Sequence, residues 1–389
     1  MNEYPSASIA SIVSDASASV YQASGPAPRA TLSAMEPYVP GRSISDIRGE
    51  FGLTRVVKLA SNENPLGPSP LALAAVRAML EDIHRYPDDR ASELRRKLAG
   101  KLALDESMLI AANGADELIT LLSETYLEPG DRIATFAPTF SEYAFGGRLM
   151  NAETNRAPLG EDFALRADDL LAAVDARTKL VFVCSPNNPT GTYMPRDELE
   201  RLLARLPAGC LLVLDAAYSH FADAPDYCDG FDVLRAGARL VVLQTFSKAY
   251  GLAGIRAGFA AGPADVIASM LRVKEPFNVN ALAQTAASAA LDDEAHLAAT
   301  LRTNAAGRIR LREGLARLGI SSVPSQSNFV LADFGDRAAS VYRLWMESGV
   351  IVRSGAGWGL PGHLRISVGT AEEIDLLLAL LDDILRRDA

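Results

Sequence analysis

The sequence predicts an α/β protein: a mostly parallel sheet with helices on both faces, followed by a smaller α+β domain. Three observations carry this prediction. Four apolar runs of strand length stand along the chain, at Arg132–Ala137, Leu180–Cys184, Leu211–Leu214 and Leu240–Leu243. Segments with helical periodicity separate them, such as Asp116–Tyr126 and Asp197–Leu206. Runs that are apolar throughout belong to strands covered on both faces, and strands interleaved with helices pair in parallel. From about residue 285 the texture changes to long Ala/Leu/Arg-rich helical stretches such as Glu294–Leu318. Two short strand candidates follow, Asn328–Ala332 and Leu364–Val368, and then a closing helix over Ala371–Leu385.

Taken in chain order, residues 1–45 read as an N-terminal arm. Its first thirty or so residues are rich in Ser and Ala and are expected to be disordered or loosely draped. Residues 46–284 are expected to form the large domain and 285–389 the small one. The arm lacks a basic start followed by a sustained apolar run, so it does not read as a signal peptide. No stretch approaches the about eighteen apolar residues of a membrane span. The 389 residues are 49% hydrophobic and 22% charged, ample for a large core, and the net charge of −10 argues against nucleic-acid or anionic-membrane partners. Cys184, Cys210 and Cys228 form no CxxC pair, which points to reduced thiols and a cytoplasmic location. The four histidines, His84, His220, His296 and His363, have no metal-ligand spacing, so no metal site is expected.

The polar clusters follow the apolar runs, where ligands of such sheets gather. "ANGADELITLL" starts a helix near Ala115. The free N–H groups of Ala115 and Asp116 after a glycine make an anion seat, though many helices start this way and bind nothing. "CSPNNPTGTY" places Asn188 in a turn whose prolines and glycine constrain the backbone; as a plain turn it is unremarkable. "VLDAAYSHF" puts Asp215 directly after a strand, either as a helix N-cap or as a carboxylate awaiting a cation, with the Tyr218 phenol three residues on. "TFSKAYGLAGIR" places Lys248 after another strand, flanked by Thr245 and Ser247, with Arg256 eight residues later. By itself this is a polar loop with a solvated lysine. Together the clusters match one chemistry, that of an aldehyde cofactor bearing a phosphate and a pyridine ring. Lys248 supplies an amine and Asp215 a partner for the ring nitrogen. Asn188 and Tyr218 supply donors for the ring oxygen. The N–H groups of Ala115 and Asp116, with Thr245, Ser247 and Arg256, supply a phosphate cup.

At this point the chain resembles the fold-type I pyridoxal-phosphate (PLP) transferases, and within them the histidinol-phosphate aminotransferase family. Ten segments in order carry the resemblance: "PYVPGRS", "KLASNENPLGPSP", "YPD", "ANGADELI", "SPNNPTG", "LVLDAAY", "TFSKAYGLAGIRAGF", "PFNVNALAQ", "SNFVL" and "GLPGHLRISVGT". It implies that Lys248 is the Schiff-base lysine, that Asp215 partners the ring nitrogen and that Tyr218 and Asn188 contact the ring oxygen. It further implies that Tyr143 stacks on the ring and that Arg365 grips a substrate carboxylate. Tyr38 and Arg353 would face the substrate side chain. Tyr86 would reach the cofactor phosphate of a neighbouring subunit in a homodimer with shared active sites. Two positions depart from the pattern: Ala216 stands where an acidic residue is common, and Trp358 where a tyrosine is more usual.

The implied reaction is amino transfer from histidinol phosphate to 2-oxoglutarate, giving imidazole-acetol phosphate and glutamate, in histidine biosynthesis. Its small-molecule partners are therefore an amino donor and a 2-oxo acid. Three rivals are an aromatic amino-acid (phenylalanine/tyrosine) aminotransferase, a threonine-phosphate decarboxylase of the same fold, and a PLP-binding protein without catalysis.

Overall fold

The computed structural model describes residues 26–35 and 41–387. The chain forms two compact units, residues 1–38 and 39–389. In the first, the described residues carry one 3-10 turn, Ala30–Ala34; the expectation for residues 1–25 lies outside the described residues.

The second unit opens with α1 (Ile44–Phe51), which starts on a capping box between Ser43 and Asp46 and stops on left-handed Gly52. Then come β1 (Val57–Lys58), α2 (Pro70–Met79), α3 (Ser92–Leu102), β2 (Leu109–Ala112), α4 (Ala115–Tyr126), β3 (Arg132–Ala137), α5 (Glu142–Leu149), β4 (Glu153–Pro158) and α6 (Ala167–Ala172). The chain continues through β5 (Thr178–Cys184), α7 (Arg196–Arg205), β6 (Leu211–Asp215), α8 (Phe231–Arg235), β7 (Leu240–Thr245), β8 (Gly258–Ala261), α9 (Ala264–Met270) and α10 (Ala281–Ala290). It ends with α11 (Glu294–Arg317), β9 (Ser321–Ser322), β10 (Phe329–Asp333), α12 (Ala338–Glu347), β11 (Val350–Ile351), β12 (Arg353–Ser354), β13 (His363–Ser367) and α13 (Ala371–Arg387).

Seven strands form the large sheet in the order β2-β8-β7-β6-β5-β3-β4. The β4-β3-β5-β6-β7 run is parallel, and β8 is antiparallel to both its neighbours. Strands β5, β6 and β7 are buried almost throughout, and alternate side chains feed two separate cores. Val181, Val183, Leu212, Leu214 and Val242 enter one core; Leu180, Phe182, Leu211, Val213, Val241 and Leu243 enter the other. This is why the sequence shows continuous apolar runs there rather than alternation. The chain moves outward from β3 to β4 and then returns to place β5 on the other side of β3. The crevice at the carboxyl ends of β3 and β5 is thus the topological switch point of the sheet.

The C-terminal region forms an antiparallel sheet, order β12-β13-β10-β9. Its apolar residues, including Val330, Ala332, Leu364 and Ile366, pack in one core with Leu311, Val341, Trp345, Leu377 and Leu381 of α11, α12 and α13. Strand β1, early in the chain, pairs in parallel with β11, and Val57 and Leu59 enter this same C-terminal core. Two-residue strands leave no periodicity to read, so this pairing was invisible in the sequence.

The loop after β7 passes the "NENPLGP" loop so closely that a side chain is excluded. Gly251 holds a φ of +70°, and a Cβ there would run into the Gly67 carbonyl oxygen. Gly251→Ala is therefore expected to destabilise the protein by more than about 2 kcal/mol. A thermal melt beside that of Gly254→Ala, whose Cβ would meet no atom within 4 Å, checks this.

Candidate active site

Strand β7 delivers Lys248. Beyond its end Phe246 donates its N–H to Ala257, and Leu252 donates back to Phe246, both at 3.0 Å. The loop folds on itself and crowds Thr245, Ser247, Lys248 and Arg256 together. Lys248 is half-buried; its Nζ donates to the Ser61 carbonyl at 3.3 Å and lies 5.8 Å from the centre of the Tyr218 ring. Desolvation, and then the positive charge of Arg365, pull the amine down to about 8. A lysine near that value holds a usable fraction of free amine at neutral pH.

Asp215 is the last residue of β6 and only 3% exposed. The Tyr143 hydroxyl donates to its Oδ2 at 2.6 Å, and the Ala217 N–H donates to its Oδ1 at 3.1 Å. Burial nevertheless raises the carboxyl above its ordinary value. Two neutral donors do not offset the loss of water around a charge, so the site favours a cation beside this carboxylate. A protonated pyridine nitrogen fits that demand.

A second network joins the two sheets. The Asn62 side-chain amide donates to the Tyr218 hydroxyl at 3.0 Å. The Asn62 N–H donates to Ser367 Oγ at 2.9 Å, and Asn328 Nδ2 donates to the Asn62 carbonyl at 2.9 Å. Arg365, 5% exposed on β13, donates to Asn188 Oδ1 and, at 2.7 Å, to the Ala60 carbonyl. Its guanidinium lies 5.2 Å from the Phe329 ring centre and 5.1 Å from that of Trp358.

The third part is a cradle at the start of α4. Its N-cap, Gly114, has a φ of 91° and no side-chain cap. Arg256 Nη2 lies 3.4 Å from Asp116 Oδ2, and Nη1 lies 3.4 Å from Ser247 Oγ. Cβ atoms would fill this cradle: one on Gly114 would come 2.7 Å from Arg256 Nη2, and one on Gly258 would come 2.8 Å from the Gly114 carbonyl carbon. Helix N–H groups, a guanidinium and a hydroxyl brought together where two glycines let the backbone pack closely suit a phosphate.

The model of the "aminotransferase class I and II" family matches residues 54–381. The chain belongs to that family. Among its relatives is histidinol-phosphate aminotransferase 2 of Pseudomonas aeruginosa, 43% identical over 356 residues, covering 91% of this chain and 96% of the relative. The histidinol-phosphate aminotransferase of Moorella thermoacetica is 42% identical over 358 residues, covering 92% of each. Among solved structures, that of histidinol-phosphate aminotransferase from Sinorhizobium meliloti in complex with pyridoxal-5'-phosphate superposes with a TM-score of 0.86 at 27% identity. It covers 94% of this chain and 100% of the other.

In this aminotransferase the residues singled out in the sequence, Tyr143 aside, fall into three groups. Lys248, Asp215, Tyr218, Asn188, Thr245, Ser247, Arg256 and the Ala115–Asp116 backbone stand at or beyond strand ends or at the start of α4, and Arg365 stands on β13, an inner strand of the small sheet. Arg353 joins them from β12, directly opposite Arg365 in the ladder. Tyr86 stands apart: it is 84% exposed and stacks on Phe277, with ring centres 4.8 Å apart. Tyr38 lies outside the described residues.

Tyr143 needs a correction. It is fully buried, with one face against Phe182 at 4.8 Å and its hydroxyl on Asp215, so it has no open face to stack on a ligand. Phe140, half-buried and edge-on to Tyr143 at 5.7 Å, retains open surface from the same segment. The sequence reading also missed Asn62 and Ser61. Both lie in "SNENP", but their partners, Tyr218 and Lys248, are more than a hundred residues away, so no local pattern signals the contacts.

The depressed amine makes a pH prediction for the ligand-free protein. Below about pH 8 the folded state must hold a proton on a desolvated amine, which opposes folding; above the ordinary lysine value neither state holds it. Lys248→Met should thus stabilise the ligand-free protein at pH 7 by at most about 3 kcal/mol. The difference should shrink as pH rises from about 8 towards 10.5, as followed by denaturant melts at several pH values.

Proposed function

We propose that this aminotransferase binds pyridoxal phosphate and transfers the amino group of histidinol phosphate to 2-oxoglutarate, forming imidazole-acetol phosphate and glutamate in histidine biosynthesis. The observation that carries the reading is the convergence of a depressed lysine, a buried carboxylate and a glycine-lined anion cradle on one sheet edge, faced by two arginines. The relatives named for histidinol phosphate support the substrate.

Pyridoxal phosphate, when bound, supplies a carbonyl carbon for the substrate amine and a ring that accepts charge from the substrate Cα. The Arg256 guanidinium, the Ser247 and Thr245 hydroxyls and the first N–H groups of α4 would hold its phosphate. Asp215 keeps a proton on the ring nitrogen, and Tyr143 holds the carboxylate in place. Asn188 and Tyr218 orient the ring oxygen, and Phe140 offers the aromatic face. Lys248 takes the proton from the substrate Cα, a role suited to an amine near 8. Arg365 binds the α-carboxylate of glutamate; on the phosphate of histidinol phosphate Arg353 joins it, so that both guanidiniums serve one doubly charged group. A second reading is transamination of phenylalanine or tyrosine, whose single carboxylate would need only Arg365.

Steady-state kinetics test both. Lys248→Ala should abolish turnover. Loss of a charge-assisted contact in Arg353→Ala should lower kcat/KM for histidinol phosphate by about ten- to 150-fold, with a smaller loss for phenylalanine. A wild-type enzyme preferring phenylalanine outright would put the aromatic reading first.

The same proposal includes a homodimer with shared sites, Tyr86 reaching the partner's cofactor phosphate, and a cytoplasmic location. The open Tyr86–Phe277 pair supports the first, and three free cysteines support a reducing compartment. Mixing inactive Lys248→Ala subunits with inactive or impaired Tyr86→Phe subunits should restore one intact site per hybrid dimer. A fully active monomer in sedimentation would refute it.

A further inference from the structure

Arg353 and Arg365 are direct cross-strand partners on the β12–β13 ladder. Two like charges in that relation ordinarily repel and weaken a sheet. Among the described residues no carboxylate lies within ion-pair distance of Arg353. What both guanidiniums do share is a neighbour, Trp358. Its ring centre lies 6.0 Å from the Arg353 guanidinium carbon and 5.1 Å from that of Arg365. An indole presents the most negative aromatic face to a cation, so one ring in contact with both guanidiniums holds them at a set separation.

The turn that carries Trp358 is tightly held. It is a 3-10 turn, Gly355–Trp358, opened by Ser354, whose side chain accepts from the Ala356 N–H, and closed by Gly359 in the left-handed region at φ 75°. A Cβ at Gly355 would run into the carbonyl oxygens of Leu360 and His363, so the turn is packed directly against the loop entering β13. Arg365 is also held by Asn188 and the Ala60 carbonyl. Arg353 also lies close to the backbone of Gly41, where a Cβ would come 3.3 Å from Nη1.

We infer that Trp358 is a positioning and specificity-determining residue: its indole spaces the Arg353 and Arg365 guanidiniums into a two-point receptor for substrates with two anionic charges, a phosphate monoester or a dicarboxylic 2-oxo acid. This rests on the function proposed above for Arg353 and Arg365. A monocarboxylate such as phenylalanine needs only one of the two guanidiniums, so it is indifferent to their spacing.

The test uses the holoenzyme. Trp358→Leu should raise KM for histidinol phosphate and for 2-oxoglutarate by about two- to thirty-fold. The kcat values and the KM for phenylalanine should move far less. Trp358→Tyr, which keeps an aromatic face, should recover most of the loss. A readout without turnover is available because the chain has two tryptophans, and the other, Trp345, is fully buried against Phe334. The difference in emission between wild type and Trp358→Phe therefore reports on Trp358. Inorganic phosphate should change that difference saturably in wild type and not in Arg353→Ala. Equal KM increases for phenylalanine and the two dianions, or emission indifferent to phosphate, would overturn the inference. If emission responds to phosphate but wild type does not turn over histidinol phosphate, the receptor stands and the proposed reaction falls.

Discussion

The arrangement turns on a carboxylate buried at the end of a parallel strand. Asp215 closes β6 with almost no solvent access, and its two protein donors, the Tyr143 hydroxyl and the Ala217 N–H, are both neutral. In an environment of low polarity such a group remains ionised only beside a positive charge. Lys248 is on the neighbouring strand end, but its own desolvation makes it a poor permanent cation. The two groups thus stand in complementary tension: a carboxyl pushed up and an amine pulled down. Titratable groups whose environments move them in this way mark a site of proton chemistry rather than a static ion pair.

The sheet topology supplies the rest of that environment. Parallel strands all present their carboxyl ends on one edge, so the loops after β3, β5, β6 and β7 open into one crevice. The reversal of direction around β3 leaves room there for a ligand. The antiparallel β8 brings Gly258 against Gly114 and so sets the start of α4 beside Arg256. Glycine is needed at both positions because backbone and guanidinium already occupy the space of a Cβ.

The segment from Val57 to Asn62 links the two sheets. Its strand pairs with β11, its Ala60 carbonyl receives Arg365, and Asn62 bonds to Tyr218 on one side and to Ser367 and Asn328 on the other. A change in this short stretch would disturb the lysine, the phenol and the arginine together. That coupling gives "KLASNENP" a structural reason beyond the chemistry of any one of its side chains.

The sequence by itself determined the frame. The four apolar runs of the large sheet and the helices named between them were legible to within one or two residues, because fully buried strands and amphipathic helices write their periods locally. The strand-end positions of Asn188, Asp215 and Lys248 follow directly from that frame, and so does the start of α4 at Ala115. Tertiary structure alone decided what depends on distance along the chain. The β1–β11 pairing is too short to leave a pattern and is specified by the C-terminal core. The contact of Asn62 with Tyr218 spans residues that no local rule connects. The roles of Phe140 and Tyr143 also separate only in three dimensions. Both are aromatic residues of one loop, and it is packing against Phe182 and the reach of a hydroxyl to Asp215 that bury one and leave the other open. In the same way Trp358 reads in the sequence as an unusual residue before a turn. It becomes a spacer between two guanidiniums only because antiparallel pairing sets Arg353 opposite Arg365.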